Sequence, residues 1–268
     1  MKIIWIGGDH PRHLYYLNKI NEKFPISGAI IETRDGGGTD SRIPEVPLDL
    51  NEQDKENFII HFENRFKTED KYFSDLKSPT CPILHITKEE LNSDKTIEFI
   101  QSIKPEIVLT YGCHIIKEPL ISKLPTNTIN LHGGLSPKYR GVATMFWPFY
   151  FLEPNHVGAT FHYLTESPDA GSIIHQSIPK LEYDDKIHDV SCKAIISASN
   201  DMIKLLSIYE KENGWRKIEQ KTSGKNFLNR DFKPEHLRII YNLFNDDMVK
   251  QFLSGKIKSP DPKLITQF

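Results

Sequence analysis

Three residues in this chain have side chains that do oxyanion and acid–base chemistry together: Asn130, His132 and Asp169. Asn130 and His132 stand two apart in the run Ile129-Asn130-Leu131-His132. Side chains alternate between faces along a strand, so the amide and the imidazole share one face and Ile129 and Leu131 the other. A buried polar side chain left unsatisfied costs roughly 1–3 kcal/mol. The pair therefore belongs either to a structural hydrogen-bond network or to a working site. Asp169, at the tip of Thr165-Glu166-Ser167-Pro168-Asp169-Ala170-Gly171, supplies a carboxylate. Beside an imidazole, a carboxylate raises the histidine pKa and fixes its tautomer, while a dry site raises the pKa of the carboxyl itself. An amide NH2 aimed at the same point donates to a developing oxyanion, an effect of roughly 3–4 kcal/mol for a single donor. No serine or cysteine stands in a nucleophile elbow, and no His/Asp/Glu cluster has metal-ligand spacing. The chemistry expected is direct acyl transfer between two bound substrates, without metal, the acceptor supplying the nucleophile.

These residues need a frame that brings distant segments together. Lys2 to Ile6 reads as a strand stopped by Gly7-Gly8, with a helix from Arg12 to Lys23 carrying Leu14, Leu17 and Ile20 at helical spacing. The glycine turn lacks the dinucleotide fingerprint and a phosphate-loop lysine. Ile26 to Thr33 reads as a second strand, and Asp35-Gly36-Gly37-Gly38-Thr39-Asp40 as a loop, either lid or linker. Leu50 to Leu76 follows a helical period; His61 and Arg65 lie one turn apart on it and form a candidate pair for a phosphate or carboxylate. A strand at Pro82 to Ile86, a helix near Ser93 to Ile103 and a strand at Ile107 to Tyr111 follow. After the Asn130 run come a short aromatic helix at Met145 to Leu152, strands at Val157 to Tyr163 and Ser172 to Ile178, and a helix from Asp184 to Glu212. Strands alternating with helices predict an α/β fold, a mainly parallel twisted sheet with crossover helices. Its binding site is expected beyond the carboxyl ends of the strands, where the chain leaves Tyr111 and His132. Residues 1–213 form the expected catalytic domain. Residues 214–268, more polar, with helices expected at Pro234 to Phe244 and near Asp246 to Leu253, form a small accessory region that dimerises or caps a pocket.

Composition limits the partners. With Lys+Arg 34 against Asp+Glu 36 the net charge is −2, so no global basic field gathers nucleic acid or an anionic membrane. Any anion must meet a local cluster. Cys81, Cys113 and Cys192 are widely spaced and read as reduced thiols of a cytoplasmic protein. The apolar run near Met1 is too short for a signal peptide, and no segment approaches ~20 consecutive apolar residues, so neither export nor a membrane span is expected.

At three separated blocks the sequence resembles the folate-dependent formyltransferases: Tyr111-Gly112-Cys113-His114-Ile115-Ile116; Asn130-Leu131-His132 with Leu135-Ser136-Pro137-Lys138-Tyr139-Arg140-Gly141; and Gly158-Ala159-Thr160 leading to Asp169-Ala170-Gly171-Ser172-Ile173-Ile174. The resemblance implies that Asn130 polarises the formyl carbonyl, that His132 acts as hydrogen-bond donor and acid/base group, and that Asp169 orients His132 and collects the amine proton. Tyr111, Gly112, Cys113, His114, Ile115 and Ile116, with Asp169 opposite, would bind 10-formyltetrahydrofolate as co-substrate. Gly133, Gly134, Lys138, Tyr139 and Arg140, with His61 and Arg65, would face the acceptor, Lys138 and Arg140 meeting a diphosphate. The His132-to-Asp169 interval is one residue longer than in the commoner members, which puts the turn near Phe151 to His156 in doubt.

The chain has no sustained basic stripe after residue 213, so a tRNA acceptor lacks its electrostatic footprint. The resemblance is greatest to the nucleotide-sugar N-formyltransferases, which implies a nucleotide-linked amino dideoxy sugar as acceptor, a role in surface polysaccharide synthesis and a homodimer. Alternatives are glycinamide ribonucleotide or water as acceptor, and a non-catalytic folate or nucleotide-sugar binding module.

Overall fold

The computed structural model describes residues 1–34, 41–220 and 224–268. The Gly36–Gly38 loop lies outside them. Seven strands form one sheet in the order β3-β2-β1-β4-β5-β7-β8: β1 Ile3–Gly8, β2 Gly28–Glu32, β3 Ile83–Ile86, β4 Ile107–Tyr111, β5 Thr128–His132, β7 Ala159–Tyr163 and β8 Ile173–Ser177. The first five are parallel, and β5·β7 and β7·β8 are antiparallel. The mainly parallel α/β reading is therefore right, with an antiparallel edge. Such strands are apolar on both faces because helices cover both.

One face, carrying Trp5, Leu109, Tyr111, Ile129 and Leu131, packs on helices α1 (Pro11–Asn21) and α5 (Ile187–Glu212), with Phe73 of α2 (Glu52–Phe73). The other, carrying Ile4, Ile6 and Val108, packs on α3 (Asp94–Ile103). Alternation along β4 and β5 puts Thr110, Asn130 and His132 on this second face. Gly7 and Gly8 belong to β1; a Cβ on Gly7 would lie 2.4 Å from the Tyr111 carbonyl, so close strand packing accounts for the glycine.

The segment 133–146 leaves β5, forms β6 (Tyr139–Gly141) and enters the short helix α4 (Trp147–Tyr150). Residues after Glu212 wrap back on this region. β9 (Lys225–Phe227) pairs in parallel with β6, Trp215 donates from its indole N–H to Leu205 O at 2.7 Å, and Gln176 N donates to Ile265 O at 2.7 Å. Phe227, Phe232, Leu237, Ile240 and Met248 share an apolar cluster with Phe58, Phe62 and Trp147. The expected α-helix at Pro234 to Phe244 is instead a 3-10 turn at 234–236 followed by a π-helix at 239–243. Its register is set sideways on α2, where Arg238 chelates Asp54 at 2.6 Å by two N–H groups, Tyr241 meets His61 and Asn242 accepts from Asn57. The last helix, α6, spans Met248–Leu253. Among the described residues no helix is long and apolar enough to cross a membrane.

Candidate active site

Register places Thr110, Asn130 and His162 in one row across β4, β5 and β7. Thr110 Oγ1 donates to Asn130 Oδ1 at 2.7 Å, which fixes the amide orientation. His162 Nδ1 faces the Tyr163 carbonyl at 2.9 Å and so carries a proton; its Nε2 then accepts from Asn130 Nδ2 at 3.1 Å. One amide N–H is used this way. The second has no partner among the described residues and is available to an oxyanion.

His132 is two residues on, 7% exposed. Its Nε2 donates to Tyr139 O at 2.9 Å, and its Nδ1 stands 3.3 Å from Asp169 Oδ1. Burial lowers the His132 pKa and outweighs the attraction of Asp169, which raises it. This reverses the sequence expectation of a raised value, because the ring is fully enclosed. Nδ1 is thus a bare lone pair beside a carboxylate: an imidazole poised to take a proton and become half of an ion pair. Asp169 is also reversed. Burial pushes its pKa up, but the positive charge that His132 and His162, whose Nε2 lies 3.4 Å from Asp169 Oδ1, carry when protonated, together with the Gly141 N–H, which donates to Oδ2 at 3.2 Å, holds it well below the usual carboxylate range. Asp169 adopts φ 51, a left-handed backbone that costs a non-glycine residue about 1–2 kcal/mol. Gln220 Nε2, donating at 2.8 Å to Asp169 O and Gly171 O, and Arg140, donating at 2.6 Å to Pro168 O, hold the turn in that shape.

On the opposite face of the sheet a cavity of about 250 Å3 lies between α1, α2 and α5. It reaches the strand ends at Tyr111 and Gly133, and His61, Arg65, His188 and Phe232 line it. Arg12 is paired with Glu69 at 2.7 Å. Arg65 lies over the Phe62 ring at 4.6 Å and donates to the Ser41 and Arg42 carbonyls, the latter at 3.2 Å. His61 Nδ1 meets Tyr241 Oη at 2.9 Å.

The sequence profile described as Formyl transferase matches residues 53–206, more than half of the chain. This chain belongs to the formyl transferase family. It is 31% identical over 132 residues to the bifunctional polymyxin resistance protein ArnA of Wigglesworthia glossinidia brevipalpis, a match covering 47% of this chain and 20% of that protein. The chain thus spans about a fifth of that relative. Three solved structures share the fold: the N-formyltransferase of Helicobacter canadensis in complex with folinic acid and dTDP-3-aminofucose (TM-score 0.52, 16% identity, 97% of this chain and 85% of that chain), a 4-N formyltransferase of Francisella tularensis (0.53, 17%, 86% and 78%), and the phosphoribosylglycinamide formyltransferase of Anaplasma phagocytophilum (0.55, 14%, 85% and 98%).

In this formyl transferase the residues expected to bind donor and acceptor are placed unevenly. The His114 ring turns inward to Glu32 and Arg34, and its backbone N–H donates to Glu32 Oε2 at 2.9 Å. Gly112 has φ 71 and a Cβ there would meet the His13 ring at 2.3 Å, so only glycine fits the turn. Cys113 has its thiol pKa pushed up to about 12 by burial. Ile116 is buried, and Ile115, 61% exposed, offers an apolar surface; Tyr111 points to the other face, into the cavity. Gly134 lets the chain turn against His132, whose Nε2 would lie 2.8 Å from an added Cβ. Gly133 lines the cavity. Lys138 instead pairs with Glu153, at 2.5 Å, and Tyr139 is fully buried with its hydroxyl donating to the same carboxylate. Arg140 braces the Asp169 turn. Sequence reading missed Thr110, His162, Gly141 and Gln220. The alternation that singles out Asn130 and His132 also pairs Thr160 and His162 on one face, and that signal was available. The Gly141 and Gln220 contacts arise from tertiary approach alone. Among the described residues no group of three or more His, Cys, Asp or Glu is arranged to hold a metal.

Proposed function

We propose that this formyl transferase moves the formyl group of 10-formyltetrahydrofolate to the amine of a nucleotide-linked amino dideoxy sugar, dTDP-4-amino-4,6-dideoxyglucose or a close analogue. The observation that carries the reading is the Asn130–His132–Asp169 cluster, with a bare imidazole nitrogen and a spare amide N–H on one face of adjoining strand ends. The donor supplies an activated formyl carbonyl. Its fit rests on the exposed Ile115 and the Gly112 turn on one side and the Asp169 turn on the other. Asn130 Nδ2 stabilises the oxyanion as the amine attacks. His132 Nδ1 takes the amine proton, and Asp169 stabilises the imidazolium so formed. Breaking the bond to the donor nitrogen returns that proton to tetrahydrofolate and leaves a formamide on the acceptor.

The acceptor approaches from the cavity side in this reading, and residues 214–268 cap it, since Phe232 lines the cavity and Tyr241 holds His61. A cytoplasmic homodimer belongs to the same reading; light scattering tests the dimer. To test the activity, the protein is incubated with 10-formyltetrahydrofolate and a panel of acceptors, and products are weighed by mass spectrometry. Formylation of a nucleotide-linked amino sugar is expected; formylation of glycinamide ribonucleotide alone, or only release of formate to water, would refute the sugar acceptor.

A further inference from the structure

The row of residues next to the Asn130 row is polar too. His132, Thr160 and Gln176 lie opposite one another across β5, β7 and β8. Thr160 and Gln176 are buried, and both serve the loop 134–136, which leaves β5 just after His132. Thr160 Oγ1 accepts from Ser136 N at 2.9 Å and donates to Gly134 O at 2.7 Å. Gln176 Nε2 donates to Ser136 O at 2.6 Å and to Thr160 Oγ1 at 3.3 Å. The amide orientation is fixed from behind, because Ile265 N, which can only donate, meets Gln176 Oε1 at 3.1 Å. The one donor and both acceptor positions of the Thr160 hydroxyl are thereby filled.

The contents of the loop explain why two buried polar side chains hold it. Gly134 packs on the hydrogen bond that His132 Nε2 gives to Tyr139 O, and a Cβ there would lie 2.8 Å from both atoms. Tyr139 N donates to Leu135 O at 2.9 Å, and Leu135 stands between the two residues that Thr160 and Gln176 grip. The place of the Tyr139 carbonyl therefore follows the loop. That carbonyl decides where the single proton of the neutral His132 ring sits. Two acceptors compete for it: Tyr139 O, 2.9 Å from Nε2, and Asp169 Oδ1, 3.3 Å from Nδ1. Held by Tyr139, the proton leaves Nδ1 bare; drawn to Asp169, it would block Nδ1.

We propose that Thr160 and Gln176 are positioning residues for His132: by fixing the loop 134–136 they keep the Tyr139 carbonyl on Nε2 and so keep Nδ1 free to take the amine proton. The inference rests on His132 serving as the base in the reading above. Neither residue touches a reacting atom in it, and both act through the backbone of the loop.

The test uses the full chain and three variants. Thr160→Val keeps the shape without the hydroxyl, Gln176→Met keeps the length without the amide, and Thr160→Ser keeps the hydroxyl. Long-range proton–nitrogen NMR at neutral pH shows which ring nitrogen carries the proton, the His132 signals being those lost in His132→Gln. Wild type and Thr160→Ser should carry it on Nε2; Thr160→Val and Gln176→Met should show it moved wholly or partly to Nδ1. Single-turnover formyl transfer should fall ~10- to 10²-fold in those two, with the KM of the donor little changed, and return most of the way in Thr160→Ser. Circular dichroism melts check that the variants fold. A wild-type proton on Nδ1 overturns the proposal, as do wild-type rates in Thr160→Val and Gln176→Met. So does a rate lost in both with the His132 proton still on Nε2, which is what a merely structural role would give. Wild type that transfers no formyl group to any acceptor sinks the reading of His132 as base, and the nitrogen spectra still decide whether the loop sets its tautomer.

Discussion

At the scale of single residues, the bare Nδ1 of His132 and the His162 link to Asn130 make separable predictions. Since burial lowers the His132 pKa, the rate should be flat above about pH 6.5 and fall only in more acid solution, as the base is protonated in the free enzyme. Asp169 raises that pKa, so Asp169→Asn should shift the acid limb of kcat/KM to lower pH as well as slow the reaction; a limb moved to higher pH would mean that another group titrates. His162 acts through Asn130. His162→Ala releases one amide N–H and lets the side chain turn, so kcat should fall ~10-fold or more with donor KM little changed. His162→Gln, which can still accept from Asn130 Nδ2, should restore part of the rate, whereas a purely structural role would give a similar drop in thermal stability for both variants and no rate difference between them.

At the scale of elements, the loop after β4 is held by a buried carboxylate. Glu32, fully buried at the end of β2, receives the His114 N–H and binds its ring, with Arg34 alongside. Glu32→Gln keeps the shape but weakens the charge-assisted bonds, so the KM for 10-formyltetrahydrofolate should rise several-fold with kcat nearly unchanged; steady-state kinetics in the two substrates distinguish this from a loss of catalysis. The elements themselves are largely legible in the sequence. Apolar runs ended by glycine give β1 and β4, helical periodicity gives α2 and α5, and the strand period puts Asn130 and His132 on one face. What is not legible depends on distant partners. The sequence does not show that Lys138 pairs with Glu153 or that Arg140 donates to the Pro168 carbonyl beside Asp169, because both partners arrive from separate segments. The pairing of β9 with β6, which carries residues after 214 onto the loop that holds Asp169, leaves no periodic trace in three-residue strands.

For the molecule as a whole, buried histidines set the response to pH. His10, His13, His61, His132 and His188 are all enclosed, and burial lowers each pKa, that of His10 and His188 to about 3. Between the folded value and the unfolded ~6.5 the unfolded chain binds more protons, so stability rises with pH there. From pH 6.5 down to 5 each of His10 and His188 should cost ~2 kcal/mol, at about 1.4 kcal/mol per pH unit. Asp246, raised to about 7 by burial, works the other way, losing stability as pH rises towards 7. Five histidines outweigh one carboxyl, so Tm should climb from pH 5 to 6.5 and then level. A Tm that is flat or falls over that range would show that these rings are not held neutral.

The claim on which the rest depends is that Asn130, His132 and Asp169 form one formyl-transfer centre. Single-turnover formyl transfer by wild type, Asn130→Ala, His132→Ala and Asp169→Ala, with donor binding measured separately by fluorescence, tests it most directly. Losses of at least ~10²-fold in each variant with donor affinity kept within a few-fold are predicted; equal rates in all four proteins would contradict it.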